Sequence, residues 1–178
     1  MIFSQFLFLL SCQTKLSLSE ELALIEEARL NPSDGLKICS QISSQKIKEE
    51  CISITAHHLK GEPNGKEQLC KELSGSLQAE CFFELAEEVQ DSKYCLLAGD
   101  FLMDCRLHIL ESQCGKYQTL SALISLTENL DLVPKHPNVG NILYGCLFSN
   151  SQPKDICSQT PDPKQCANIQ KRQIGSHR

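Results

Sequence analysis

The sequence predicts an all-α fold: a disulfide-stapled array or bundle of αα-hairpins, in effect a short helical repeat. Three observations predict it. Cysteines recur in successive pairs nine to twelve residues apart, with turn-forming residues midway between the two members of each pair. The apolar residues flanking them return every three or four positions, the period of a helix with one buried face. No stretch alternates with period two for long enough to make a strand.

The elements follow in order. Ser17-Leu18-Ser19-Glu20 has the spacing of a capping box, in which the serine side chain and the glutamate satisfy the first free N–H groups of a helix. The helix it opens carries Leu22 and Ile25 and stops at Asn31-Pro32. Three related segments come next: Cys39 to Cys51, Cys70 to Cys81 and Cys95 to Cys105. Each second cysteine opens an apolar run, CISITAHHL, CFFELAEEV and CRLHILESQ, and the repeats return every 25–30 residues or so, the range of helical-hairpin arrays. In the first repeat the expected buried stripe is Ile47, Cys51, Ile54 and His58; in the second it is Phe82, Leu85, Ala86 and Val89, with Cys81 at its edge. Tyr117, Leu120, Leu123, Ile124 and Leu130 mark a later amphipathic helix. Residues 132–141, with two prolines and a glycine, read as the longest loop.

The cysteine spacing has a mechanical meaning. Ten residues along one helix separate two α-carbons by about 15 Å, whereas a disulfide needs about 4.4–6.8 Å. The midpoints hold Ser43-Ser44, Ser74-Gly75-Ser76, Gly99-Asp100 and Pro161-Asp162-Pro163, each able to fold two arms back together. The expected bridges are therefore Cys39–Cys51, Cys70–Cys81, Cys95–Cys105 and Cys157–Cys166. Cys114 and Cys146 remain to close the longer loop; Cys105 and Cys114 lie about 13.5 Å apart if one helix holds both. Short staples of this kind each contribute roughly 2–3 kcal/mol in the chain-entropy model. They compensate for a core with 6% aromatic residues and no tryptophan.

At the amino terminus, Ile-Phe-Ser-Gln-Phe-Leu-Phe-Leu-Leu is apolar but too short to span a bilayer, which takes roughly 20 residues. It ends in Leu9-Leu10-Ser11-Cys12, which resembles the lipobox of bacterial lipoproteins. The first positive charge, Lys15, follows the cysteine instead of preceding the apolar run. The resemblance implies cleavage before Cys12, lipidation of that cysteine and a membrane-lipid anchor. With Gln13 next to it, the resemblance further implies the outer membrane in a diderm envelope. Removing Cys12 from the eleven cysteines leaves ten, an even number. The chain then divides into a signal peptide (1–11), a lipidated terminus and tether (12–18), a disulfide-rich helical domain (19–172) and a flexible tail (173–178).

The same cysteines restrict function. There is no C-x-x-C, so zinc ribbons, c-type haem attachment and thioredoxin chemistry lack their signature. A net charge of −5 argues against nucleic acid as the partner. His57, His58 and His108 with Glu87 or Glu88 are the only candidate metal ligands, and adjacent helical histidines point about 100° apart. Gly61 to Glu67 faintly resembles a phosphate loop, with one residue too few between the glycines and Glu67 where a Ser or Thr would hold magnesium. Two carboxylate clusters, Glu20, Glu21, Glu26 and Glu27, and Glu84, Glu87 and Glu88, read as solvated helix faces. No catalytic or cofactor motif is present.

In its logic the arrangement resembles the disulfide-stapled helical repeats of Sel1-like cysteine-rich secreted proteins, though without their Gly/Ala/Tyr pattern. That resemblance implies a surface that binds another protein, here an envelope partner. Two other readings stay open: an enzyme or metal/redox carrier, and a mitochondrial coiled-coil-helix protein, since Cys95-x9-Cys105 matches half of the twin signature. Peptide mapping without reduction is expected to recover Cys70 linked to Cys81 and Cys95 linked to Cys105. Links between repeats would refute the hairpin arrangement.

Overall fold

The computed structural model describes residues 16–117, 119–149 and 156–176. The apolar leader, Cys12 and the chain through residue 15 lie outside the described residues. All regular structure within them is helical. In chain order the α-helices are α1 (Leu18–Leu30), α2 (Gly35–Cys39), α3 (Gln45–His58), α4 (Pro63–Lys71), α5 (Gly75–Val89), α6 (Leu102–Cys114), α7 (Leu120–Asn129), α8 (Pro137–Ser149) and α9 (Pro163–Ser176). Short 3-10 turns at Pro32–Asp34, Tyr94–Leu97, Gly99–Phe101 and Ile156–Gln159 join them.

Five disulfides join Cys39–Cys51, Cys70–Cys81, Cys95–Cys105, Cys114–Cys146 and Cys157–Cys166, with α-carbons 5.4–5.8 Å apart. Four of these are the pairs that the midpoint turns predict; Cys114–Cys146 joins the two cysteines those turns leave over. Each local bridge closes a hairpin of fixed register. The residue before the first cysteine is Ile38, Leu69 or Tyr94, and the residue three after it is Ile42, Leu73 or Ala98; all six are buried. In each case the N–H three residues on donates to the cysteine carbonyl: Ile42 to Cys39, Leu73 to Cys70, Ala98 to Cys95, and Thr160 to Cys157 in the last hairpin. After the second cysteine, the fourth and fifth positions are again buried: Thr55 and Ala56, Leu85 and Ala86, Ile109 and Leu110. The turns differ. Gly75 and Gly99 take positive φ (58° and 53°), a conformation that side-chain-bearing residues adopt only at a cost. The first hairpin has serines there, and its turn is held from outside. Glu21, only 5% exposed, accepts the N–H groups of both Ser43 and Ser44.

The second arms form the spine. Helix α5 packs between α3 and α6, α6 packs on α8, and α8 packs on α9. The core has two clusters, one running from α1 to α6 and on to Leu126 of α7 and Val139 of α8, the other around Leu123, Leu143, Tyr144 and Leu147, with Tyr117 and Ile142 packed against both. The Cys114–Cys146 bridge pins α6 to α8 where the clusters meet. Tyr144 is fully buried and its hydroxyl accepts the Asp162 N–H, tying the last hairpin to α8.

Several local expectations need correction. In α3 the buried residues are Cys51, Ile52, Thr55 and Ala56, while His58 is exposed and Ile54 only half-buried. Both stripes share Cys51; the observed one is rotated toward Ile52 and Thr55 because α2 packs on that side, with Thr55 beside Gly35 and Cys39. In α1, Leu22 is 53% exposed and Glu21 and Ala28 face inward. Residues 132–141 are not one long loop: Pro137 opens α8, since a proline at the first helical position loses no hydrogen bond. Helix α1 begins at Leu18, inside the stretch read as a tether, and α9 continues to Ser176, inside the stretch read as a flexible tail.

One close approach sets the angle of the first repeat. A β-carbon on Gly35 would overlap the side chain of Thr55, which is fully buried in α3. Replacing glycine by alanine in a helix normally adds up to about 1 kcal/mol of stability. Gly35→Ala is expected to lower the urea midpoint of the oxidised protein instead, by about 1–3 kcal/mol of overpacking. Gly115→Ala, which meets nothing within 4 Å, should leave it unchanged or raise it.

Candidate functional site

The stacking of α3, α5 and α6 produces a repeated polar rung. The residue six after a hairpin's second cysteine meets the residue three after the next hairpin's second cysteine. Between α3 and α5 the pair is His57 and Glu84, with Nδ1 3.2 Å from both carboxylate oxygens. Between α5 and α6 it is Glu87 and His108, with Nδ1 2.6 Å from Oε1. Histidine and glutamate exchange places from one rung to the next, so equivalent positions in the repeat carry complementary groups.

Behind the first rung lies a buried cation. The Lys66 side chain is 1% exposed, and its ammonium stands 3.4 Å from Glu84 and 3.1 Å from Glu88. Glu88 also accepts the Gly61 N–H at 2.9 Å. Burial pushes the Glu88 carboxyl up, but the Gly61 hydrogen bond and the Lys66 and Lys60 charges outweigh it and hold the group below its ordinary value. Nearby, the Tyr94 hydroxyl donates to Glu67, which raises the phenol and, together with Lys71, lowers the carboxyl. The stretch from Gly61 to Glu67 is thus a turn entering α4, with its lysine committed to two carboxylates; no phosphate cradle forms there.

Helix α5 separates two cavities. One, of about 360 Å³, is lined by Glu80, Phe83, Glu84, Glu87 and Phe101. The other, of about 240 Å³, lies toward α3 and includes Ile54, His57, His58, Glu80 and Glu84. Phe83 and Phe101 meet edge to face with centroids 6.3 Å apart, and Phe83 touches the His108 ring at 5.1 Å. Aromatic rings in such pairs retain an accessible face or edge for a further contact. A third cavity, of about 400 Å³, borders Glu111, Ile142 and the Cys114–Cys146 bridge.

The predicted chemistry can now be placed. Cys39, Cys51, Cys70, Cys81, Cys95, Cys105, Cys114, Cys146, Cys157 and Cys166 are all disulfide-bonded, and none offers a thiolate. Cys12 lies outside the described residues. His57 and His108 do not converge: they reach different glutamates from helices on either side of α5. Among the described residues no group of three or more His, Cys, Asp or Glu is arranged to hold a metal ion. The Nδ1 atoms of His57 and His108 are each taken up by a glutamate, not by a hydroxyl or thiol. The glutamates of α5 are not simply a solvated face, since Glu84 and Glu88 balance Lys66. What sequence reasoning missed is that Glu80 and Phe83 share a face with Glu84 and Glu87 at i, i+3, i+4, i+7; only Glu84, Glu87 and Glu88 stand out in the sequence, as a carboxylate cluster.

Comparison with family models, with curated protein sequences and with solved structures finds no match to this chain.

The buried cation makes the acid response specific. A carboxyl held below its ordinary value stabilises the fold above the unfolded-state value, about 4.3 for glutamate, and that contribution is lost as pH falls through the folded-state value. Wild-type stability is therefore expected to drop below about pH 4.3. Lys66→Met keeps the stem but strands two partly solvated carboxylates. It should cost on the order of 2 kcal/mol at neutral pH, and its loss of stability on acidification should be shallower than that of the wild type. Urea unfolding across pH checks both.

Proposed function

We propose that this protein is an exported, non-enzymatic binding module, held at a membrane by a lipid on Cys12 and working on a protein partner. Five disulfides point to folding in an oxidising, extracytoplasmic compartment. No helix among the described residues is long and apolar enough to cross a membrane. A lipid on Cys12, followed closely by a helical domain from Leu18, would hold that domain near the bilayer surface.

The observation that carries the binding reading is the composition of the α5 groove. Its walls combine carboxylates with two half-buried phenylalanines, the mixture of aromatic anchor and polar rim that protein interfaces use. The groups that elsewhere supply nucleophiles are committed here to structure: cysteines to bridges, Lys66 to its glutamates. In the envelope of a diderm bacterium the position implied by Gln13 is the outer membrane.

Two experiments test the proposal. Cys12→Ser is expected to move the protein from the membrane fraction to the soluble envelope fraction and to remove the acyl mass; unchanged partitioning and mass would sink the anchor. A pull-down with the membrane-anchored form is expected to recover a specific partner and to show no free thiol in the native protein. Turnover of a small substrate by the purified, metal-free protein would overturn the non-enzymatic reading.

A further inference from the structure

Glu80, Phe83, Glu84 and Glu87 occupy one face of α5, opposite the buried face of Phe82, Leu85 and Ala86. The two cavities on either side share Glu80 and Glu84, so this face is the common wall of both, and the one toward Phe101 forms an apolar-floored groove. None of the residues lining either cavity is Lys or Arg. Lys66 balances Glu84 from behind, while Glu87 has only the His108 ring. The groove is therefore apolar at its Phe83–Phe101 floor and acidic at its rim. The chain segment that supplies Phe101 also carries large apolar side chains in the open: Leu96 is 64% exposed, Leu97 50% and Met103 43%. Exposed apolar groups beside a charged groove are a pairing that an isolated surface gains nothing from.

We propose that this groove takes an arginine-containing basic segment of a partner protein, with the guanidinium stacked on the Phe83–Phe101 floor and its edge turned to the carboxylates of Glu80 and Glu87. The inference rests on the binding-module reading and supplies its chemistry. Charge complementarity selects the occupant: carboxylates without a facing cation favour a basic segment. The aromatic floor favours arginine over lysine, because a planar guanidinium stacks on a ring while its edge pairs with a carboxylate. A second copy of this chain is disfavoured, since the two bodies would each carry a charge of −5. Apolar residues next to the arginine would find Leu96, Leu97 and Met103.

The test uses the full chain carrying Cys12→Ser, oxidised and isotope-labelled. It is titrated with N-acetyl-arginine amide and with its neutral isostere, N-acetyl-citrulline amide. The arginine compound is expected to give saturable shifts at the amides of residues 80–87 and 101, and the citrulline compound none. Glu80→Gln/Glu87→Gln should weaken binding about tenfold with an unchanged circular dichroism spectrum. Equal shifts from both compounds, shifts elsewhere, or an unaltered affinity in the double variant would overturn the proposal. The function and the site fail separately. A partner captured equally by wild type and double variant overturns the groove and leaves the binding module standing. Arginine-specific shifts without any captured partner uphold the groove and count against the module. Self-association that the double variant abolishes would put a second copy in the groove and overturn the choice of partner.

Discussion

A disulfide holds two helical arms together irrespective of what else they bury. Four of the five close loops of nine to twelve residues, and the fifth closes one of 32. In the chain-entropy model each short bridge contributes about 3 kcal/mol and the long one about 4 kcal/mol. Their geometric effect matters as much. With α-carbons fixed at 5.4–5.8 Å, the residues on either side of each cysteine have little choice of facing. That is why Ile38, Leu69 and Tyr94 point inward at equivalent positions although their side chains differ in size and shape.

Fixed facing within each hairpin becomes fixed contact between hairpins. Because the second arms α3, α5 and α6 leave their cysteines with the same rotation, the sixth residue of one lies beside the third residue of the next. The rungs His57–Glu84 and Glu87–His108 follow from that register. So does the acidic and aromatic face of α5, which is what remains when the opposite side of the helix is committed to the core. A repeat this regular can change its surface residues one rung at a time without disturbing its core positions.

The parts of this architecture that were legible in sequence are those ruled by covalent geometry or by neighbours close in the chain. The four local cysteine pairs were legible because a turn between them closes a distance that one continuous helix would keep open. The cap at Ser17 was legible because its partner Glu20 is three residues away. What was not legible depends on residues brought together from afar. Glu21 looks like any surface glutamate until Ser43 and Ser44, 22 and 23 residues on, present their N–H groups to it. Lys66 looks like part of an exposed turn until Glu84 and Glu88 arrive from the next helix. The apolar stripe of α3 differs for a related reason: Ile47, Cys51, Ile54 and His58 fit the helical period, but α2, packed on Thr55 through Gly35 and Cys39, selects a neighbouring phase that buries Ile52 and Thr55 with Cys51. Periodicity fixes that a helix has an inner face; only a tertiary constraint fixes which face it is.

The same division explains how a core with few aromatic residues coexists with a groove that exposes them. In a domain held by packing alone, phenylalanines are most useful inside, and leaving Phe83 and Phe101 half-buried forgoes part of roughly 1.5–3 kcal/mol for each. Bridges that restrict the unfolded chain supply stability that does not depend on burying those rings. Charge follows the same logic. Three carboxylates on one face of α5 repel one another, and Lys66, buried beneath them, offsets part of that repulsion while leaving their outer sides open. Covalent stapling of the hairpins and a buried counter-charge together leave α5 free to carry an acidic and aromatic face that the core does not require.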